Sequence, residues 1–213
     1  MLDPPQGLLK QSYAPRRQTR GLMNADGWGV GFFVDELDQP VRWRSARPLW
    51  SEASFASVSQ VLRSTSVLAA VRSATPGMPS DETAAAPFTD GRWLLSHNGR
   101  VDRAVLPARN DIESVCDSAV LAAHVFDRGV ARIADTVVTV AHRDPAAVLN
   151  LLLIDGTRTV GVTWGDSLSY IVEPDGVAVA SEPWDDDPRW IDVPDRHLIE
   201  VTPDGVTLTN LEN

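Results

Sequence analysis

The chain has 213 residues, 43% of them hydrophobic and 23% charged, which is enough to bury one sizeable core and reads as a single globular domain. Its 19 Lys and Arg stand against 29 Asp and Glu, and the resulting formal charge of -10 disfavours nucleic acid and anionic membrane, whose phosphates are neutralised by basic side chains; a cationic or zwitterionic ligand fits better. The single cysteine, Cys116, argues against a disulfide framework and a multi-cysteine metal site, so nothing argues for export on redox grounds; neither a leader-like start nor an apolar run of membrane-spanning length is present, and a soluble cytoplasmic protein is expected.

Strand-like runs come early, at 27–34, 41–45, 67–73 and 93–97, each bounded by Gly, Pro, Asp or Asn. In the middle, Asp111 can cap a helix with the apolar stripe Ile112, Val115, Cys116, Ala119, Ala123 and Phe126, closed by Gly129. A second helix follows over 130–141, and beyond Asp144-Pro145 strands return at 148–154, 159–164, 168–173, 177–181 and 197–202. Asp155-Gly156, Asp175-Gly176 and Asp204-Gly205 suit two-residue hairpin turns, so neighbouring strands should run antiparallel, which argues against a doubly wound parallel sheet. The pattern is α+β, with helices covering antiparallel sheets. The Ala, Pro, Ser and Thr-rich stretch 73–90 reads as one long ordered loop, a place where function often resides.

Asn24-Ala25-Asp26-Gly27-Trp28-Gly29-Val30-Gly31-Phe32-Phe33 is the densest local signal. Its glycines permit close backbone approach, although a turn followed by a β-bulge is the commoner meaning of such a run. A dinucleotide fingerprint fits poorly, since a strand rather than a helix follows. Asn98-Gly99 after Ser96-His97 could be a hairpin turn, or an oxyanion hole in which the Asn amide and a Gly backbone N–H aim at one spot. Arg72 places a permanent fork-shaped cation at the end of an apolar strand with Thr75 nearby; a carboxylate ligand and a surface ion pair are both open readings. On pattern alone Asp117 is a solvated helix residue and Cys116 a packed small hydrophobe rather than a nucleophile. The histidines lack zinc spacing, and Asp185-Asp186-Asp187 between two prolines reads as a solvated acidic loop; no metal or other cofactor is expected.

Taken in order, Asn24-Ala25-Asp26-Gly27, Arg72 with Thr75, His97-Asn98-Gly99 and Asp117 resemble the glutaminase domain of class II amidotransferases. More narrowly, Asp3 to Leu9, Gln11 to Gln18, Trp93 to Gly99, Ala180-Ser181-Glu182-Pro183 and Pro194 to Leu198 resemble the actinobacterial γ-glutamyl-hercynylcysteine-sulfoxide hydrolases of ergothioneine biosynthesis, through nearly the whole chain. The resemblance implies an N-terminal-nucleophile fold, a four-layer αββα sandwich of antiparallel sheets, and hydrolysis of a γ-glutamyl amide to release glutamate and hercynylcysteine sulfoxide. It also implies that Asn98 and Gly99 form the oxyanion hole and that Arg72 with Thr75 holds the ligand's α-carboxylate. Asp117 would pair with the α-ammonium, with His97, Asn24, Asp26, Gly27 and Trp28 around the same pocket. Ser73 and Pro76 replace an aromatic residue and a histidine common in the wider family, which favours the specialised branch over a glutaminase that supplies ammonia. Seven Trp and the acidic balance raise the further expectation that aromatic faces meet a trimethylammonium end of the ligand.

Such enzymes attack with an N-terminal cysteine whose own α-amine, of pKa roughly 8, moves the proton. Here the chain reads Met1-Leu2-Asp3, so the resemblance implies a short segment with that cysteine and the first strand ahead of Met1. The chain beginning at Met1 is expected to lack one strand and to be inactive, leaving a γ-glutamyl-binding scaffold as the alternative reading.

Overall fold

A computed structural model describes residues 4–18 and 23–212. Met1 to Asp3, and any strand that the resemblance would set ahead of them, lie outside the described residues. The chain runs α1 (Leu8–Tyr13), β1 (Trp28–Phe32), β2 (Val41–Ser45), α2 (Ala53–Val58), β3 (Val67–Val71), β4 (Phe88–Thr89) and β5 (Leu94–Arg100). It continues through α3 (Asp117–Arg128), α4 (Ile133–Arg143), β6 (Val148–Ile154), β7 (Thr159–Val162), β8 (Ser169–Glu173), β9 (Gly176–Ala180), β10 (Ile191–Asp192), β11 (His197–Thr202) and β12 (Gly205–Asn210).

All the strand pairs are antiparallel, as the turn chemistry predicts. They form a six-stranded sheet in the order β12-β11-β7-β6-β5-β4, a three-stranded sheet β2-β1-β3 and a small sheet β10-β8-β9. On the six-stranded sheet, Leu95, Leu149, Leu151, Leu153, Val160 and Val162 face α3 and α4, meeting Leu121, Val125, Val137 and Val140 in the main core. From the opposite face Leu94, Leu152 and Ile154 meet Leu68 and Phe33 between the two larger sheets. Beyond the three-stranded sheet, Leu8 and Leu9 of α1 and Phe55 of α2 pack on Trp28, Val30 and Trp43. The layers are therefore helix, sheet, sheet, helix, with one helical layer made only of short pieces.

β1 explains its own glycines. Trp28, Val30 and Phe32 share the α1 side, while Gly29 and Gly31 face the other way, the two-residue period of a strand. A Cβ on Gly29 would lie 2.2 Å from the Ala86 carbonyl oxygen, and one on Gly31 2.6 Å from Leu94 Cδ1. Glycine lets the second sheet and the 84–88 segment approach this close. The register of β1 with both neighbours is continuous, so the strand carries no bulge.

Several boundaries differ from expectation. The middle helix starts at Asp117 rather than after Asp111, because Asp111 is engaged by Arg109 and Cys116 is the residue that caps, its Sγ accepting from the Ala119 N–H at 3.4 Å. Val115, expected on the apolar stripe, is exposed as a result. The strand expected to stop at His97 runs on to Arg100, so Asn98-Gly99 is not a turn. In two hairpins the connection is Pro174-Asp175 or Pro203-Asp204, with Gly176 or Gly205 opening the next strand. Proline's fixed φ suits the first central turn position and glycine the residue after the turn. Asp155-Gly156 sits in a longer connection, 155–158. Among the described residues no helix is long and apolar enough to cross a membrane.

Candidate active site

β5 sends alternate side chains into two different layers. Leu95 points to the helices and Leu94 between the sheets. By the same alternation, Ser96 and Asn98 face the inter-sheet side while His97 and Gly99 turn towards α3. Asn98 pairs across the ladder with Asn150 and donates from Nδ2 to Ser181 Oγ at 3.3 Å. Gly99 has no room for a side chain, since a Cβ there would lie 2.0 Å from the Val148 carbonyl oxygen.

Arg72 follows β3 and is held by the 24–29 segment. Its N–H donates to the Gly27 carbonyl at 2.9 Å, its carbonyl accepts from the Asp26 N–H at 2.9 Å, and its guanidinium donates to the Asp26 carbonyl at 3.2 Å. The Asp26 carboxylate accepts from the Ala74 N–H at 2.8 Å, which ties down the start of the long loop beside Thr75. Among the described residues Arg72 makes no ion pair, so the surface-pair reading does not apply.

Asp117 is only 5% exposed, contrary to the solvated position its helical pattern suggests. It is the first residue of α3, where its oxygens accept from the N–H groups of Val101 at 3.2 Å and Ser118 at 2.9 Å; among the described residues no cation pairs with it. Next to it, Cys116 is buried, and desolvation pushes its thiol above the ordinary value. Such a thiol is a poor nucleophile. The ring of His97 is spanned by Ser118 Oγ at 2.9 Å from Nδ1 and the Val148 carbonyl at 2.8 Å from Nε2. A carbonyl only accepts, so Nε2 carries the proton and Nδ1 accepts from the serine hydroxyl. Although the residue as a whole is half-buried, its ring is enclosed tightly enough that desolvation lowers its pKa, and the nearby Asp117 charge only partly offsets this.

These residues meet in a cavity of about 380 Å³ between the sheets. Arg72, Thr75, His97, Asn98, Gly99, Asp117, Asn24 and Trp28 all line it, together with the whole of β3, Val67–Val71. Asp26 and Gly27 do not: they stand behind Arg72 and fix it. His97 contributes no free ring nitrogen, because both are taken up within the protein. The indole N–H of Trp28 is buried and has no hydrogen-bond partner among the described residues. Asn24 is committed to the scaffold, its Nδ2 donating to the Gln11 carbonyl and to Gln18 Oε1. Among the described residues the arrangement offers a guanidinium without an ion pair, the buried carboxylates of Asp117 and Glu182, and amide donors around a single space.

A family model of glutamine amidotransferases class-II matches residues 9–174. The chain belongs to this class-II amidotransferase family. It is 62% identical over 212 residues to the gamma-glutamyl-hercynylcysteine sulfoxide hydrolase of Mycobacterium tuberculosis (strain CDC 1551 / Oshkosh), covering all of this chain and 90% of that protein. The similarly named hydrolase of Mycolicibacterium smegmatis is 60% identical over 211 residues, covering 99% of this chain and 92% of the relative. Among solved structures, a glutamine aminotransferase class-II domain protein from Silicibacter pomeroyi superimposes with a TM-score of 0.69 at 20% identity, covering 88% of this chain and 92% of that one. Glutamine phosphoribosylpyrophosphate amidotransferase from B. subtilis gives 0.67 at 15% identity over 88% of this chain and 43% of its own. These two likenesses establish the N-terminal-nucleophile fold of the amidotransferase.

Other lining residues carry chemistry that the local sequence pattern does not mark. Asn150, Ser181, Glu182 and Trp184 all border the cavity. Asn150 lies within a run of Leu and Ile, where one amide in a hydrophobic strand was the available signal. Ser181 and Glu182 stand in the Ala180 to Pro183 segment that carries the family resemblance, with no local pattern marking their roles. The acidic run Asp185 to Asp187 is dispersed by its partners: Asp185 accepts from Trp190 Nε1, Asp186 pairs with Arg16 and Asp187 with Arg189.

Proposed function

We propose that this chain supplies the γ-glutamyl-binding and oxyanion-stabilising site of an amide hydrolase acting on γ-glutamyl-hercynylcysteine sulfoxide, with glutamate and hercynylcysteine sulfoxide as products. The observation that carries it is that Arg72 and buried Asp117, neither of them in an ion pair among the described residues, line one cavity. A buried carboxylate without a counter-ion is costly unless a ligand cation completes it. An α-amino acid end presents one carboxylate and one ammonium, which matches the guanidinium fork and the aspartate. Thr75 lines the same cavity as Arg72.

The scissile carbonyl then lies towards β5. Attack converts it to a tetrahedral oxyanion, for which Asn98 Nδ2 and the Gly99 backbone N–H are the donors. Ser181 already accepts from the Asn98 amide, which orients that group. Cys116 is not the attacking group, since it is buried and its thiol is harder to ionise than usual. In this reading a cysteine thiolate other than Cys116 forms the S–C bond, the C–N bond breaks as the leaving amine takes the proton that the thiol gave up, and water then hydrolyses the thioester to glutamate. The relatives' printed name and the departures at Ser73 and Pro76 support the hercynyl substrate over plain glutamine.

Calorimetry with γ-glutamylcysteine, beside glutamate release measured on the chain as numbered and on a form extended by a Met-Cys-bearing N-terminal peptide, tests the reading. Binding by both, with turnover of γ-glutamyl-hercynylcysteine sulfoxide only by the extended form, is expected. Equal turnover of glutamine would instead make it a glutaminase. Absence of γ-glutamyl binding would sink the proposal.

A further inference from the structure

The two charges assigned to the ligand belong to different layers. Arg72 follows β3 of the three-stranded sheet, whereas Asp117 opens α3, which packs on the six-stranded sheet. No single strand or helix sets their separation, so contacts that cross between the layers must do so.

β2 supplies such contacts. Trp43 packs on Trp28 and Phe55 on the helical side of its sheet, so Arg42 and Arg44 point the other way, between the sheets. Arg44 lies opposite Gly29, where a Cβ would be 2.9 Å from Arg44 Cγ; glycine lets this side chain lie across β1. Both guanidinium groups end on Glu113. Arg42 Nη1 donates to its two oxygens at 2.8 and 2.9 Å, and Arg44 Nη2 donates to Oε2 at 2.9 Å. The Arg42, Arg44 and Glu113 side chains are 21, 13 and 30% exposed, so water and salt screen the triad less than an isolated surface pair. The same arginines donate to carbonyls of the segment before β4, Arg44 to Thr83 at 3.4 Å and Ala85 at 3.3 Å, Arg42 to Pro87 at 3.2 Å.

Glu113 begins the run that ends at Asp117. Within it, Ser114 Oγ accepts from the Cys116 N–H at 3.4 Å, Arg103 donates to the Val115 carbonyl at 2.6 Å, and Cys116 Sγ lies 3.9 Å from the Ala84 carbonyl. Ala84 falls between the two residues whose carbonyls Arg44 holds. The three-stranded sheet is thereby fastened to the start of α3. None of Arg42, Arg44 and Glu113 lines the cavity.

We propose that Glu113, gripped by Arg42 and Arg44, is a positioning residue that sets Asp117 at the separation from Arg72 that an α-amino acid zwitterion requires. It acts on the α-ammonium through Asp117 and leaves the α-carboxylate to Arg72, whose own ties run to Asp26 and Gly27. The inference rests on the γ-glutamyl reading and can fail separately from it. The test is calorimetry of the chain with γ-glutamylcysteine and with its glutaryl analogue, which keeps the α-carboxylate but lacks the α-ammonium. The wild type should prefer γ-glutamylcysteine by about tenfold or more. In Glu113→Gln that preference should fall about threefold or more, while affinity for the glutaryl analogue stays within about twofold of the wild type. Arg42→Gln, which leaves Arg44 in place, should lower the preference by a smaller factor and gives a second reading if Glu113→Gln folds poorly. A triad that only supports the fold would weaken both ligands alike. An unmoved ratio in either variant therefore overturns the positioning role alone. Failure of γ-glutamylcysteine to bind, or a wild type with no preference for the α-ammonium, overturns the γ-glutamyl reading and the positioning role together.

Discussion

Asn150 on β6 stands directly across the ladder from Asn98 on β5, and its amide holds the loop against which Asn98 is braced. From Nδ2 it donates to the carbonyls of Asp166 at 2.9 Å and Ser167 at 3.1 Å, and Oδ1 accepts from the N–H groups of Trp164 at 2.9 Å and Asp166 at 3.2 Å. Ser167 Oγ then donates to the Ser181 carbonyl at 2.7 Å, and Ser181 Oγ receives Asn98 Nδ2. Asn150 is 3% exposed, so Asn150→Ala would strand several backbone groups without water to replace the amide. The expected loss is about 2–4 kcal/mol in urea unfolding. A loss below about 0.5 kcal/mol would mean the loop is held by other contacts.

How much of this was legible follows from periodicity. β6 and β11 were readable to the residue because β6 is apolar but for Asn150, β11 is rich in Leu, Ile and Val, and both are bounded by turn residues. Asn98-Gly99 has the composition of a turn yet lies mid-strand, because the ladder with β6 continues to Arg100 and outweighs the local preference. α1 and α2, six residues each, went unread: helices this short draw their stability from packing on Trp28 and Trp43, not from their own sequence. Asp117 looked solvated because helical spacing gives a face, but not which neighbouring loop covers it; Val101 does so here. The site residues from 181 to 184 come from a segment far from β5 in sequence, and only the fold joins them.

Arg72 can be removed at little cost to folding, since it makes no ion pair among the described residues and one side-chain bond to a carbonyl. Arg72→Ala is therefore expected to melt within a degree or two of the wild type while its affinity for γ-glutamylcysteine falls about 10–100-fold, the worth of a charge-assisted fork. Arg72→Lys should recover part of the loss through charge without geometry. Calorimetry beside thermal melting checks both. Unchanged binding in Arg72→Ala would remove the guanidinium from the ligand site.

Asp117 makes a sharper claim, because it is assigned to one group of the ligand. The wild type should prefer γ-glutamylcysteine over its glutaryl analogue, which lacks the α-ammonium, by about tenfold or more. Asp117→Asn keeps an acceptor for Val101 or Ser118 but loses the charge, so the preference should fall towards one even if both ligands weaken. Competition binding with the two ligands measures it. A preference that survives the substitution would place the ammonium elsewhere.

His97 gives the native state a pH dependence whose sign can be worked out. Burial holds its pKa below the ordinary 6.5, so the unfolded chain takes up a proton at a pH where the native chain still resists one. The stability contributed by the neutral ring is fully present above about pH 6.5 and is lost as pH falls below that value towards the native pKa. His124 contributes with the same sign, lowered by burial and by Arg128, Arg143 and Arg109. The urea midpoint should therefore drop between about pH 7.5 and 5, before most carboxylates titrate. His97→Gln, which can still donate to the Val148 carbonyl, should flatten that decline and leave the slope due to His124. A decline as steep in His97→Gln as in the wild type would show that the enclosed imidazole is not its source.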